Sequence, residues 1–359
     1  MDQLSADSPI TTRNEDALDY WPFAESLARG LTQRIPRDGF VVGVQARWGM
    51  GKTSAINLIL QAIRELDSSK ASHQQTKIQN FNPWFFSGLE TLAKGYLSQL
   101  GRVIQDTLGD ATPRKTSQFV EKLIKGGAEF VGGMAALGAI AVTGGAAAPV
   151  ALPLKSVVSG ALSFGAHVLD TRSLETMIDD LSSHLKSIDC RILIIVDDLD
   201  RLQPDELRQT LTLVKTFGNL PNVMHLLAYD RDIVNSALEA GRSLDSSSDR
   251  LPSFLEKIVQ AEFDLPYPEQ AGLYKLINEK LMSIFGDSPE LDMEDWLLLR
   301  RTALQSYLHS PRDVLRLCNA LSVIWPGVKA EIYIPDLIAI ELLRHHEPAT
   351  YGLIDRRNT

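Results

Sequence analysis

Lys52 and Thr53, preceded by Gly49 and Gly51 in the run Ala46-Arg47-Trp48-Gly49-Met50-Gly51-Lys52-Thr53-Ser54, are the residues best suited to chemistry in this chain. Their types and spacing fit one task, gripping a nucleoside triphosphate. Successive main-chain N–H groups converge on the β-phosphate, and the following helix adds its positive N-terminus. Glycine at 49 and 51 lets the backbone come close without a Cβ in the way. Lys52 supplies a charge that bridges the β- and γ-oxygens, and the Thr53 hydroxyl is a ligand for Mg2+. Ala46 stands at the first loop position, where glycine is usual. The chain reverses there while the phosphates are still distant, so a methyl group is a small addition. ATP and Mg2+ are the expected ligands of residues 46–54, with Arg47 and Trp48 placed to stack near base or sugar.

A second group is Asp197-Asp198-Leu199-Asp200-Arg201, delivered by the apolar run Ile192-Leu193-Ile194-Ile195-Val196. A buried strand ending in an acid presents Asp197 to a bound metal, and Asp198 is placed to polarise a water for in-line attack on the γ-phosphate. A carboxylate at 198 also suits the capping of the next turn. Further on, Ser310 can cap a helix, Pro311 fits its first position, and Arg312 then sits in the first turn. From there a guanidinium can reach phosphate oxygens, or pair with Asp313 or Glu256. Lys52, Asp198 and Arg312 are the candidate catalytic residues.

These groups need a scaffold that brings strand ends together. Apolar spacing predicts a helix over 16–35, a strand over 39–45 and a helix over 52–66. Strand, glycine-rich turn and helix in that order is the context a phosphate loop requires. Further strands are predicted over 77–81, 191–196, 222–228 and 258–263, with helices over 89–108, 174–186 and 203–217. From Pro268 onward only helical patterns occur. The expectation is an α/β fold, a parallel five-stranded sheet in three α/β/α layers, followed by a C-terminal helical lid. The boundaries read as core over 1–110, an insert over 111–170, the rest of the core over 171–265 and the lid over 266–359.

The insert is the least ordinary stretch. Residues 130–154 carry no charge, and Phe130 to Ala148 supplies nineteen small or apolar residues before Pro149. A spanning helix needs about 20 apolar residues, yet alanine and glycine drive insertion weakly. Small residues at helical spacing also suit tight helix contacts in lipid or on a partner protein. The composition of the whole chain is that of a globular protein, 44% hydrophobic and 23% charged, with a net charge of −9. No basic stripe with interleaved aromatics appears, so direct nucleic-acid binding is not expected. Cys190 and Cys318 sit in apolar contexts and read as buried thiols of a reducing compartment. The polar, acidic first twenty residues do not form a secretory signal, so the expected location is the cytoplasm or the cytoplasmic face of the inner membrane. The adjacent His345-His346 cannot share a helix face, and no protein metal cage is expected.

Seven ordered stretches resemble the KAP family of P-loop NTPases. They are Asp16-Ala17-Leu18 leading to Phe23-Ala24, the run from Trp48 to Ser54, Phe81-Asn82-Pro83-Trp84, Asp197-Asp198-Leu199-Asp200-Arg201, Leu227-Ala228-Tyr229-Asp230-Arg231, Leu255-Glu256-Lys257-Ile258-Val259-Gln260, and Ser310-Pro311-Arg312-Asp313 with Asn319. Ala46 and Pro83 depart from the usual pattern without touching the chemistry. The resemblance implies an ATP-hydrolysing core of the AAA+/STAND-like branch, frequently tied to a membrane by segments inserted in the NTPase domain. That habit favours membrane contact through 126–169. It also implies a γ-phosphate-sensing role for Asp230, whose alternative is a plain turn residue, and a finger role towards a neighbouring subunit for Arg201, although adjacency favours its pairing with Asp200 within its own loop. Some bacterial relatives act in defence against phage or plasmids; protein partners or self-association are expected. The chain stops where the family's domain finishes, as a fragment of a longer protein would. Two functions stand: hydrolysis that drives a conformational or assembly change, or a nucleotide-loaded switch with little turnover.

Overall fold

The computed structural model describes residues 8–108, 121, 171–239, 254–286, 292–329 and 331–356. The expected insert, 111–170, lies outside the described residues save for Glu121. Two compact units are present, one of residues 25–47 and 62–265, the other of 1–24, 48–61 and 266–359.

The first unit carries the sheet. Its strands are β1 (Phe40–Gln45), β2 (Lys77–Asn80), β3 (Ile192–Val196), β4 (Val223–Tyr229) and β5 (Ala261–Asp264), all parallel, in the order β2-β3-β4-β1-β5. Every residue of β3 and β4 is buried. Successive side chains of a strand point to opposite faces, so both faces of the sheet's centre are covered. This is why β3 reads as an unbroken apolar run and β4 as one interrupted by His225. The edge strands are shorter and only partly buried.

Parallel pairing puts all five carboxyl ends on one rim. At that rim the Ala46 N–H donates to the Tyr229 carbonyl at 3.1 Å, the Phe81 N–H to Ile195 at 2.8 Å and the Leu265 N–H to Gln45 at 2.9 Å. Behind it, Tyr96 of the helix Leu89–Leu108 stacks on Phe217 of the helix Pro204–Phe217 at 4.9 Å between ring centroids. Its hydroxyl lies 2.8 Å from Nε2 of His225, which is fully buried in β4. Burial pushes the His225 imidazole down to about 3, so it is neutral.

The second unit is helical, as the sequence predicts for the chain after Pro268. The helices Gln270–Phe285, Met293–Leu299, Pro311–Val328 and Ile334–His346 share one apolar core. Leu273, Ile277 and Leu281, each four residues apart, form one helix face and share that core with Leu317, Cys318, Leu321 and Ile338. The helix Lys52–Asp67 begins in this unit.

Two of the boundaries that differ from the sequence reading have a local cause. The first helix starts at Trp21, not at Asp16. Asp19 is left-handed at φ 58, and the Asp16 carboxylate turns forward to accept the Trp21 N–H at 2.8 Å, so the apolar residue Leu18 lies before the helix. The last strand spans 261–264 instead of 258–263. Leu255–Lys257 forms a 3-10 turn that buries Leu255 and Ile258 in the core, and that turn accounts for the apolar run.

Candidate functional site

β1 leads through Ala46 and Arg47 into the glycine loop. Gly49 and Gly51 have φ of 87 and 85, the left-handed region that costs a side-chain-bearing residue strain and glycine none. Lys52 is the first residue of the sixteen-residue helix Lys52–Asp67 and is only 7% exposed. Thr53 and Ser54 follow in its first turn, where main-chain N–H groups have no partner within the helix. A loop in this conformation, with a buried lysine at a helix N-terminus, is an oxyanion cradle.

The N-terminal segment braces that cradle, and sequence reasoning missed it. The Tyr20 hydroxyl donates to the Met50 carbonyl at 2.7 Å, and both side chains are buried. The Ile10 N–H donates to Ser54 Oγ at 3.3 Å, and Asn57 donates to the Ile10 carbonyl at 2.8 Å. Burial, with the Asp16 carboxylate adding to it, holds the Tyr20 phenol well above its ordinary value, so it stays a donor. Nothing in the spacing of residues 8–20 signals these contacts, because each is made to a residue at least 30 positions away.

The same helical unit brings Arg312 to the loop. Ser310 caps the helix Pro311–Val328 as the sequence predicts, accepting the Asp313 N–H at 3.2 Å. Asp313 answers by accepting the Ser310 N–H at 2.9 Å, which completes a capping box. The Arg312 guanidinium carbon lies 3.8 Å from the centre of the Trp48 ring. Glu256 takes Arg231 at 3.4 Å.

On the rim of the sheet, Asp197 follows fully buried β3, and its Oδ1 accepts the Asp198 N–H at 2.8 Å. Asp198 adopts φ 58, ψ 36 and opens a 3-10 turn, Leu199–Arg201, without capping it through its side chain. Arg201 does not pair with Asp200. Its guanidinium meets Asp198 Oδ1 at 3.0 Å, because residues three apart eclipse on a 3-10 turn while neighbours diverge. β4 lies between β1 and β3 in the sheet and ends at the same rim with Asp230. The Asp230 carboxylate is buried and caps the helix Arg231–Glu239 through the Asp232 N–H at 3.1 Å. Beside it the Tyr229 side chain crosses β1 to bond Glu262 at 2.6 Å. That crossing explains Gly43, where a Cβ would fall 2.6 Å from the Tyr229 hydroxyl.

Among the described residues no three His, Cys, Asp or Glu side chains converge on a metal position. Mg2+ carried by a nucleotide needs less, one hydroxyl and one or two carboxylates beside the phosphates. Thr53 carries a hydroxyl and Asp197 a carboxylate, each a hard oxygen donor of that kind. Cys190 and Cys318 are free and buried. Among the described residues no helix is long and apolar enough to cross a membrane; the segment 126–169 lies outside them.

The KAP family P-loop domain matches residues 20–328. The phage T7 exclusion protein of Escherichia coli (strain K12) is 25% identical over 375 residues, which cover 97% of this chain and 47% of that protein. The chain therefore spans about half the length of this curated relative. Among solved structures, the Aeropyrum pernix ORC2 protein in its ADPNP–ADP complexes is similar at 12% identity and a TM-score of 0.43, covering 96% of this chain and 71% of that one. Drosophila ORC bound to DNA is similar at 11% identity and a TM-score of 0.44, covering 94% and 63%.

Proposed function

Because the chain belongs to the KAP family of P-loop NTPases, we propose that it binds ATP with Mg2+ on residues 46–54 and hydrolyses it. The observation that carries this reading is the conformation of the loop itself, with left-handed Gly49 and Gly51 and a buried Lys52 opening a long helix directly after β1. In this reading main-chain amides hold the phosphates, and Lys52 neutralises the β- and γ-oxygens. Thr53 and Asp197 hold Mg2+, which offsets charge on the transferred phosphoryl group. Asp198 orients and deprotonates the attacking water. Arg312 stabilises the γ-phosphate, and Asp230 reports its presence to the helix it caps. Hydrolysis drives a conformational or assembly change. The name of the Escherichia coli relative, a phage exclusion protein, supports a role in anti-phage defence, together with protein partners or further copies of the chain.

The test measures ATP binding by calorimetry and phosphate release in parallel. Lys52→Ala is expected to lose binding, and Asp198→Asn to keep binding while losing turnover by two orders of magnitude or about that. Retention of nucleotide by Lys52→Ala at wild-type affinity refutes the reading. The 3.0 Å pair of Arg201 with Asp198 favours a second state, a loaded switch that turns over slowly while that arginine occupies the carboxylate.

A further inference from the structure

We propose that Trp48 is a positioning residue for Arg312, holding its guanidinium against the phosphate loop so that the chain distinguishes a triphosphate from a diphosphate. The inference rests on the ATP reading of residues 46–54 and assigns Trp48 to a protein group instead of to the base or sugar. The guanidinium carbon stands 3.8 Å from the ring centre, well within the range of about 6 Å for attraction between a cation and an aromatic face.

Three features make this an oriented contact. A Cβ at Gly49 would lie 3.2 Å from Arg312 Cβ and 3.4 Å from Ser310 Oγ, so the first turn of the helix Pro311–Val328 rests on the loop where the side chain is missing. The capping box of Ser310 and Asp313 fixes the backbone on both sides of Arg312. The Trp48 ring, 51% exposed at the loop's own surface, gives the long Arg312 side chain a flat platform.

The geometry of the two groups divides the labour. Stacking engages the π face of the guanidinium, whereas its N–H donors lie in the plane and point outward from the edge. A stacked arginine is thus held in direction and remains suited to a phosphate oxygen. A γ-phosphate is the group that adds charge between ADP and ATP, so an arginine held over the loop acts on that difference. Lysine at 312 would not substitute, because an ammonium has no flat face to align.

The test uses the full chain and measures affinities for ADP and for a non-hydrolysable ATP analogue by calorimetry. Trp48→Leu is expected to reduce the preference for the triphosphate over ADP by about 3- to 10-fold. Trp48→Phe, which keeps an aromatic face, restores most of the preference. Trp48→Leu combined with Arg312→Ala loses no more than Arg312→Ala alone. Equal loss of both nucleotides in Trp48→Leu, or losses that multiply in the double variant, overturn the inference and leave the ATP reading intact provided Lys52→Ala abolishes binding. A wild-type chain that binds neither nucleotide overturns both.

Discussion

Removing one oxygen atom, in Tyr20→Phe, probes how rigidly the phosphate loop is held. The Tyr20 hydroxyl donates to the Met50 carbonyl at 2.7 Å, with Tyr20 1% and Met50 6% exposed. Water has little access to the carbonyl once its donor is gone. A buried carbonyl left without a partner costs about 1–3 kcal/mol, against about 1 kcal/mol for a bond that water can replace. The phenylalanine ring keeps the packing against Gly51, where a Cβ would be 3.3 Å from Tyr20 Cε2, so the loss isolates the hydrogen bond. The peptide unit is planar and trans, and anchoring the Met50 C=O therefore fixes the opposed N–H of Gly51. That N–H is one of the donors expected to meet phosphate oxygen. The cost should appear twice, as lower stability in urea and as an ATP dissociation constant raised by about 5-fold or more.

The pH dependence sharpens the same experiment. Burial and the Asp16 carboxylate raise the folded phenol above its unfolded value of 10.0. A raised value means the contribution is fully present below pH 10 and is lost only as pH climbs through the folded value. The difference between wild type and Tyr20→Phe should be constant from pH 6 to about pH 9. If the urea midpoint and the ATP affinity both stay at wild-type values, the Met50 carbonyl is not sequestered, and the argument for a braced loop fails.

Two other outcomes follow from buried and paired groups. His225 is neutral and pushed down to about 3 by burial, so acid favours the unfolded chain, which alone takes up the proton. Its contribution is complete above pH 6.5 and is lost as pH falls towards 3, at a limiting slope of about 1.4 kcal/mol per pH unit. Urea titrations from pH 7 to 4 read this, and His225→Phe should flatten the profile; an equal slope in that variant removes His225 as the cause. Arg201→Ala breaks a pair whose members are 57% and 22% exposed, so stability should change by less than about 1 kcal/mol. Phosphate release is expected to rise, since Asp198 loses its competitor; a fall in turnover would place Arg201 in the reaction instead.

The parts of the fold set by local pattern were legible in the sequence. β3 and β4 lie inside the sheet, where burial on both faces makes β3 wholly apolar and leaves His225 the one polar side chain before Tyr229 in β4. The helix Leu89–Leu108 has the expected ends. The Ser310 cap of Pro311–Val328 was equally plain, because serine and proline act on atoms within three residues. What was not legible depends on contacts between distant segments. Tyr20 reaches Met50, and Trp48 meets Arg312 across more than 260 residues, so no periodicity announces either. The error at Arg201 has a different origin. Adjacency in sequence suggested Asp200, but the tight turn aligns position 201 with 198.

That turn also determines which substitution can test the chemistry of Asp198. The residue sits at φ 58, ψ 36, a conformation that aspartate and asparagine adopt more readily than other side-chain-bearing residues. An aspartate is therefore favoured at 198 for two separate reasons, its backbone and its carboxylate. Asp198→Ala removes the carboxylate and strains the turn at once, and a loss of turnover would not say which had mattered. Asp198→Asn keeps the left-handed conformation and the size of the side chain while removing the proton acceptor. If Asp198→Asn hydrolyses ATP at the wild-type rate and Asp198→Ala does not, the carboxylate is dispensable. Asp198 would then serve to turn the chain out of β3, and the general base must be sought elsewhere.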